Sequence, residues 1–401
     1  MRVRKPRRER TRIDPRVLII IGVLLVVIGV LLFILLYNGH EEITERGTMM
    51  FYLKNRDAVV IRDEEVLISS EYARLDYLRS EGADVMSGES LATVYKLGYS
   101  DELMQSLLNT REEVYRAQME RIGSTKDSHL DEINEGIQRL RRMIADCIMQ
   151  GADGDLESLY RQLDNALKER MDFLKDKVQE TESLRALYKA VEDKEALLDT
   201  WTDTVAAPKT GAVSYYFDGF EQAMNADKLN MLTADLINRA LKDKGAASWT
   251  TDDHARVCRV VNRERWYVAF LTKSADLVRT ARGVEYTVEI EGSGVYTGTA
   301  LEPIINGSEI VNILEFTDDI GDLLSVRNVK LSVSASVNGI KVKSNAVRNE
   351  NGLTYLELVM SDSHFTLRID VLAENNGMVI VRPHEENDVL NEGVRYWNRK
   401  R

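Results

Sequence analysis

Val17 to Tyr37, VLIIIGVLLVVIGVLLFILLY, is a run of 21 residues without a charge, and it divides the chain into parts that belong in different surroundings. At 1.5 Å per residue a helix of that length reaches about 31 Å, the thickness of a bilayer's hydrocarbon core. A secretory signal peptide has a shorter apolar part, about 7–15 residues, and a small-residue cleavage site. Here NGHEEITE follows, which offers none. The run reads as a retained, single-pass anchor. Residues 1–16 hold eight basic groups and two acids, a balance of +6, while the 401-residue chain carries −12, so the remainder carries −18. Basic flanks stay cytoplasmic. The N-terminus is expected in the cytoplasm, where its charge also suits anionic lipid, and residues 38–401 outside. Topology accounts for the basic tail without a nucleic acid.

The anchor is the one hydrophobic span. Two cysteines, Cys147 and Cys258, allow a disulfide but no disulfide framework, and whether they pair is open. The sequon Asn306-Gly307-Ser308 reads as chance.

Past the anchor, residues 47–62 read as strands, and EGADVMSGESLATVY (Glu81–Tyr95) as a turn-rich β segment in which Gly82 and Gly88 serve turns and Val85, Leu91 and Val94 face a core. Ser100 to Thr200 then changes character, with no proline and four glycines. Leu130, Ile133, Ile137, Leu140, Ile144 and Cys147 step by 3 and 4; after GADG (Gly151–Gly154), Leu156, Tyr160, Leu163, Leu167, Leu174 and Val178 resume the stepping. That is an a/d seam on two successive antiparallel helices, an exposed coiled-coil hairpin with a tip at GADG and flanking helices at 100–122 and 180–200. From about residue 257 the chain returns to alternating strands such as WYVAFL (Trp266–Leu271), VEYTVEIEG (Val284–Gly292), VKLSVSASVNG (Val329–Gly339) and FTLRIDVL (Phe365–Leu372), which suit small barrels or sandwiches.

Two segments on either side of the helical region match one another. Placing Leu75 on Val213 also places Tyr77 on Tyr215 and Ala73 on Gly211. They read as halves of one β-sandwich with the helices inserted between them, an insertion that loop-closure entropy tolerates. Pro208 ends the helical excursion, and Gly211 and Asp218-Gly219 are expected turns.

On these residues the chain resembles the HlyD-like membrane fusion proteins, or periplasmic adaptor subunits. Ala207-Pro208-Lys209-Thr210-Gly211-Ala212-Val213 is similar to their APxxGxV stretch, and Gly82, Val85, Gly88, Glu89, Leu91 and Ala92 to their GxxVxxGexLaxi pattern. The order of parts is also similar. The resemblance implies a membrane-anchored α+β protein: tail 1–16, transmembrane helix 17–37, membrane-proximal strand segment 38–56, first half of a lipoyl-like module 57–99, coiled-coil hairpin 100–200, second half 201–245, β-barrel 246–335 and membrane-proximal β domain 336–401. Gly82, Val85, Gly88, Pro208, Gly211, Val213, Asp218 and Gly219 would shape the barrel-sandwich hybrid module. Ser70 and Ala73 depart from the family's usual Pro and Gly, and the hairpin carries no Arg-Leu-Ser tip signature, so an outer-membrane channel is left open.

No catalytic constellation, cofactor or metal set stands out. True lipoyl carriers modify a Lys at the turn joining the halves; here the helical insertion replaces that turn and Lys209 lies at a strand start. The histidines (His40, His129, His254, His364, His384) are scattered, Asp252-Asp253-His254 has no second ligand group, and Ser363-His364 lacks an acid partner. Tyr215, Tyr216 and Phe217 read as packing residues. The expectation is a non-enzymatic, homo-oligomeric adaptor coupling a membrane transporter, of ABC type among others, to an envelope conduit; the alternative is an envelope or cell-division scaffold without transport. The sequence names neither cargo, transporter nor oligomer number.

Overall fold

The structure is a computed structural model that describes residues 20–30, 39–69, 72–123, 127–150, 156–242, 255–361 and 363–398. Of the apolar run, residues 20–30 are helical and exposed, and the rest lies outside the described residues. Among the described residues no helix is long and apolar enough to cross a membrane.

After the helical residues 20–30 come β1 (His40–Ile43) and β2 (Glu45–Ser69), then β3 (Tyr72–Tyr77), β4 (Asp84–Val85) and β5 (Ser90–Lys96). Four helices follow: α1 (Asp101–Ile122), α2 (Ser128–Gln150), α3 (Leu156–Lys175) and α4 (Glu182–Trp201). Strands β6 (Thr202–Ala206) and β7 (Gly211–Ser214) and helix α5 (Ala234–Lys242) lead into β8 (Ala255–Lys273). Then come β9 (Glu285–Ile290), β10 (Gly294–Ala300), β11 (Ile304–Asn306), β12 (Glu309–Phe316) and β13 (Asn328–Lys343). The last are β14 (Val347–Glu350), β15 (Leu353–Met360), β16 (Ser363–Asn375), β17 (Met378–Pro383) and β18 (Arg395–Asn398).

Following the antiparallel ladders from β2 to β13, β9, β10, β12, β8 and back to β2 closes a barrel. Its interior holds Phe51, Val60, Trp266, Phe270, Tyr286 and Phe316, with Trp266 stacked on Phe316 at 4.2 Å. Each such side chain contributes about 1.5–3 kcal/mol by leaving water. The apolar run Ala58–Ile61 has no polar alternation because it is covered on both faces. Ala58 and Val60 point into the barrel. Val59 and Ile61 pack with Phe220, Met224, Ile237 and Ala240 outside it.

A ladder β1–β18–β15–β16–β17–β13 forms a second part, cored by Val342, Leu356, Leu358, Ile369, Val379 and Tyr396. Its register sets His40 opposite Asn398. The division of the chain differs from the sequence reading. The expected boundary at 56/57 falls inside β2, which crosses from this part through the barrel toward the sandwich. The boundary at 335/336 falls inside β13. Residues 220–240, read as sandwich, instead cover the barrel. Long twisted strands are shared between adjoining sheets, so a composition shift does not mark their domain limits.

The helices also differ in arrangement. Three of the helix starts are capped by side chains. Ser100 accepts from the Glu102 amide, Asp127 Oδ1 from the His129 amide, and Thr181 from the Leu184 amide. The a/d seam forms between α2 and α3 through Ile133, Ile137, Ile144, Leu159, Leu163 and Leu167. The pair does not project alone. Leu107 and Val114 of α1 bury against Met171 of α3 and Leu184, Val191 and Leu198 of α4. The result is a four-helix bundle, because α1 and α4 carry apolar stripes of their own that a two-helix hairpin would leave wet. GADG lies outside the described residues. The residues after it, Leu156 and Tyr160, line a cleft with Thr93 and Tyr95 of β5, so this end of the seam faces the β module. At the far end Lys177 Nζ donates to Asp127 Oδ2 at 2.6 Å, joining the α1–α2 turn to the one after α3.

Candidate functional site

The two halves of the split sandwich meet through backbone bonds. The Gly82 amide donates to the Val213 carbonyl at 2.8 Å and the Val213 amide to the Ala83 carbonyl at 3.0 Å. The Gly88 amide donates to the Ala207 carbonyl, and the Ala207 amide to the Glu89 carbonyl, each at 2.8 Å. Strand β4 pairs with β7, and β5 with β6. Gly82 and Gly88 sit at φ +75° and +86°, the left-handed region where other residues are strained. Val85 and Val213 enter one core with Leu91, Val94, Ala207 and Val260. Gly211 is required for a different reason: a Cβ there would lie 2.4 Å from the Val261 carbonyl oxygen of β8. The Pro208 carbonyl accepts from Ser87 Oγ at 3.2 Å. Lys209 is tied to Asp63 Oδ1 at 2.6 Å, so its amine is held beside β2.

Asp218 and Gly219 form a turn, with Gly219 at φ +84°, but Asp218 is buried and belongs to a charged cluster that no linear motif announces. Arg327 donates through Nε to Asp218 Oδ2 at 2.8 Å and through Nη2 to Oδ1 at 3.0 Å. Its Nη1 reaches the Val60 carbonyl at 2.8 Å and its Nη2 reaches Glu64 Oε1 at 3.3 Å. Arg259 pairs with Glu64 and donates to the Leu324 carbonyl at 2.7 Å. Arg62 donates to the Leu323 carbonyl at 3.1 Å and lies 3.6 Å from Asp218. Glu221 accepts from the Gly219 amide at 3.1 Å. Three arginines thus face three carboxylates, all buried. Burial first, then the neighbouring Arg327 charge, draws the Arg62 guanidinium down to about 9. Burial works to raise Asp218, yet the Arg327 hydrogen bonds and charge hold its carboxyl below the usual value. The cluster locks β2, β8, the turn after β7 and the approach to β13 into one junction between sandwich and barrel. Its one signal in the sequence is Arg259 inside the apolar run Val257–Val261, since Arg62 and Glu64 sit in the charged stretch Arg62–Glu65.

Tyr215 packs on Tyr77 with ring centroids 4.3 Å apart and donates to the Arg79 carbonyl at 2.6 Å, Phe217 lies under the Arg256 guanidinium at 5.3 Å, and Tyr216 is exposed. Cys147 and Cys258 are both free thiols, and burial pushes Cys258 up to about 12. His40, His364 and His384 each face a carboxylate, Glu42, Glu357 and Asp370. His254 lies outside the described residues. Among the described residues no group of three or more His, Cys, Asp or Glu is placed to hold a metal.

Residues 64–248, the span that contains both halves and the inserted helices, match the family model of the RND-related barrel-sandwich hybrid domain. The chain carries a barrel-sandwich hybrid domain. The resemblance to membrane fusion, or periplasmic adaptor, proteins is borne out over that domain. Solved structures similar to the chain include ZneB from Cupriavidus metallidurans, 15% identical over 90% of this chain and 92% of that one, with a TM-score of 0.34. MacA from Actinobacillus actinomycetemcomitans is 14% identical over 88% of this chain and 98% of that one, with a TM-score of 0.33. No curated protein matches the sequence. The barrel-sandwich hybrid here is thus defined by its own pairing: two halves, a helical bundle between them and a charged junction to the barrel beneath.

Proposed function

We propose that the chain is the non-enzymatic adaptor subunit of an export system, anchored by Val17–Tyr37 with its N-terminus in the cytoplasm. It couples a membrane transporter, an ABC-type one among the candidates, to a route through the envelope as a homo-oligomer. One observation carries the reading: the chain leaves the sandwich at Tyr99, builds a helical bundle and returns at Thr202 to complete the same module. An insertion of that kind gives a rigid β body a helical extension at the end away from the barrel. Gly82, Val85, Gly88, Pro208, Gly211, Val213 and the Asp218-Gly219 turn shape the body that neighbours would pack against. Repeated side-by-side contacts of one such surface close into rings.

Tagged full-length protein, crosslinked in cells and purified from solubilised membranes, is expected to bring a transporter subunit with it, and a deletion strain to lose export of that transporter's cargo. Recovery of no transporter together with unchanged export overturns the reading. The alternative, an envelope scaffold, draws support from the bundle's short reach: α1 has 22 residues, about 33 Å of helix.

A further inference from the structure

The helical bundle contains a cleft of about 500 Å³ at its base, against the sandwich. Its floor is α1, through Met104, Leu107 and Arg111; its walls are α3, through Tyr160, Asp164 and Asn165, and α4, through Glu195, Leu198 and Asp199; β5 and Tyr99 close one end. The volume falls within the range of small-molecule sites, about 300–1,000 Å³. A charged strut spans it. The buried Arg111 guanidinium pairs with Asp164 of α3 on one side and Glu195 of α4 on the other, so it ties both walls to the floor. Removing Arg111 would let α3 and α4 close over the apolar floor, as the same helices do farther along at Met171 and Leu184.

The lining has a charge sign. Arg111 and Lys168 answer Asp164 and Glu195. Arg161 answers Asp76, and Asp101 lies 3.2 Å from Arg74. Asp199 is left as the surplus carboxylate of the lining, exposed on the wall. Burial also holds the Asp164 carboxyl above its ordinary value, a group that a nearby cation would favour in its charged form. The aromatic surface points the same way. Tyr95, Tyr99 and Tyr160 line the cleft, and the chain already sets a cation on this wall: the Arg74 guanidinium lies 4.3 Å from the Tyr95 ring centroid and 5.1 Å from that of Tyr99.

We propose that this cleft binds an amphipathic organic cation of about drug size, its apolar body on Met104, Leu107 and Leu198 and its charge between Tyr160 and Asp199. The site is separate from the adaptor role and does not depend on it. The test uses two dyes that share one xanthene scaffold, cationic rhodamine 6G and anionic fluorescein. Fluorescence polarisation is read on full-length protein in nanodiscs, with empty nanodiscs as the blank. Rhodamine 6G is expected to bind saturably at one site per chain and at least tenfold more tightly than fluorescein. Asn165→Trp, which fills the cleft from an exposed helix position, should abolish that binding, and Asp199→Lys should weaken it tenfold or more. Circular dichroism and the melting temperature check the fold of both variants; should Asn165→Trp unfold, Asp199→Lys decides on its own. Equal binding of the two dyes, or wild-type affinity in folded Asp199→Lys, overturns the proposal.

Discussion

Tyr77 and Tyr215 occupy matching positions in the two halves of the sandwich, and their rings meet 4.3 Å apart, tilted by 51°, at the seam where the halves join. The whole helical insertion lies between them in sequence, so the contact forms only when the module closes. Tyr215→Phe, which loses the bond to the Arg79 carbonyl, should cost about 1 kcal/mol. Tyr215→Ala, which also loses the ring contact, should cost about 2–3 kcal/mol at this half-buried site. Urea unfolding midpoints of the two variants measure both.

Asp218 carries a larger share. Removing one partner from a buried, paired cluster leaves an uncompensated charge, so Asp218→Ala is expected to destabilise by about 3–5 kcal/mol. Asp101→Ala, whose pair with Arg74 is open to solvent, should change stability by less than about 1 kcal/mol. The pH dependence has a definite sign. Because the folded-state value of Asp218 is depressed below 3.8, its contribution is complete above the unfolded value and is lost as pH falls through the folded one. Acid unfolding of wild type and Asp218→Asn should converge at low pH and diverge above about pH 4.

Gly211 and Gly88 separate two reasons for glycine. A methyl group at Gly211 meets the Val261 carbonyl, and backbone cannot move aside as a side-chain tip can, so Gly211→Ala should cost about 3 kcal/mol. At Gly88 there is open space, and only the positive φ opposes a side chain. Gly88→Ala should cost about 1 kcal/mol. Thermal unfolding of the pair gives the comparison, and equal losses would refute the distinction.

Glu42 fastens β1 to β18. Burial works to raise its carboxyl, but hydrogen bonds from Lys343, Tyr396, Asn398 and His40 bring it down to about 2. A depressed value means that its stabilisation is present above the unfolded value of 4.5 and declines as pH falls toward 2. Glu42→Gln should fray this ladder at neutral pH. Hydrogen exchange at Glu41 and Ile43, opposite Trp397 and Arg395, should speed up while that of the barrel strands does not change.

The two thiols should react differently. Cys258 is buried and its thiol stays protonated, so iodoacetamide at pH 8 should label half-buried Cys147 first and Cys258 only on unfolding.

The lack of proline between Ser100 and Thr200, the glycines at 82 and 88 and the stretch Pro208–Gly211 made the helical region and the split module legible, because each acts within a few residues. The a/d stepping likewise exposed the α2–α3 seam. It could not say what α1 and α4 would bury, since Leu107 and Leu198 carry the same pattern whether they face a neighbour in the bundle or another chain. The charged junction was hidden for a related reason. Arg62 and Glu64 on β2 are far in sequence from Asp218, Arg259 and Arg327, and each alone resembles a surface residue. Their burial depends on two strands and two loops arriving together. The cleft is less legible still, because it is the space left when Arg111 holds two helices apart.

Strand β2 has one more consequence. Residue 39 leads into β1, Thr44 is pinned by its amide to the Val394 carbonyl at 2.9 Å and by its hydroxyl to the Asn391 carbonyl at 2.6 Å, and β2 then runs 25 residues without a break. A pull on residue 39 would pass through β1, which pairs with β18, into β2, so that the β2 ladders to β13 and β8 are sheared together rather than peeled one bond at a time. The chain behaves as a tie rod, handing tension at residue 39 to the edge of the sandwich at Ser69.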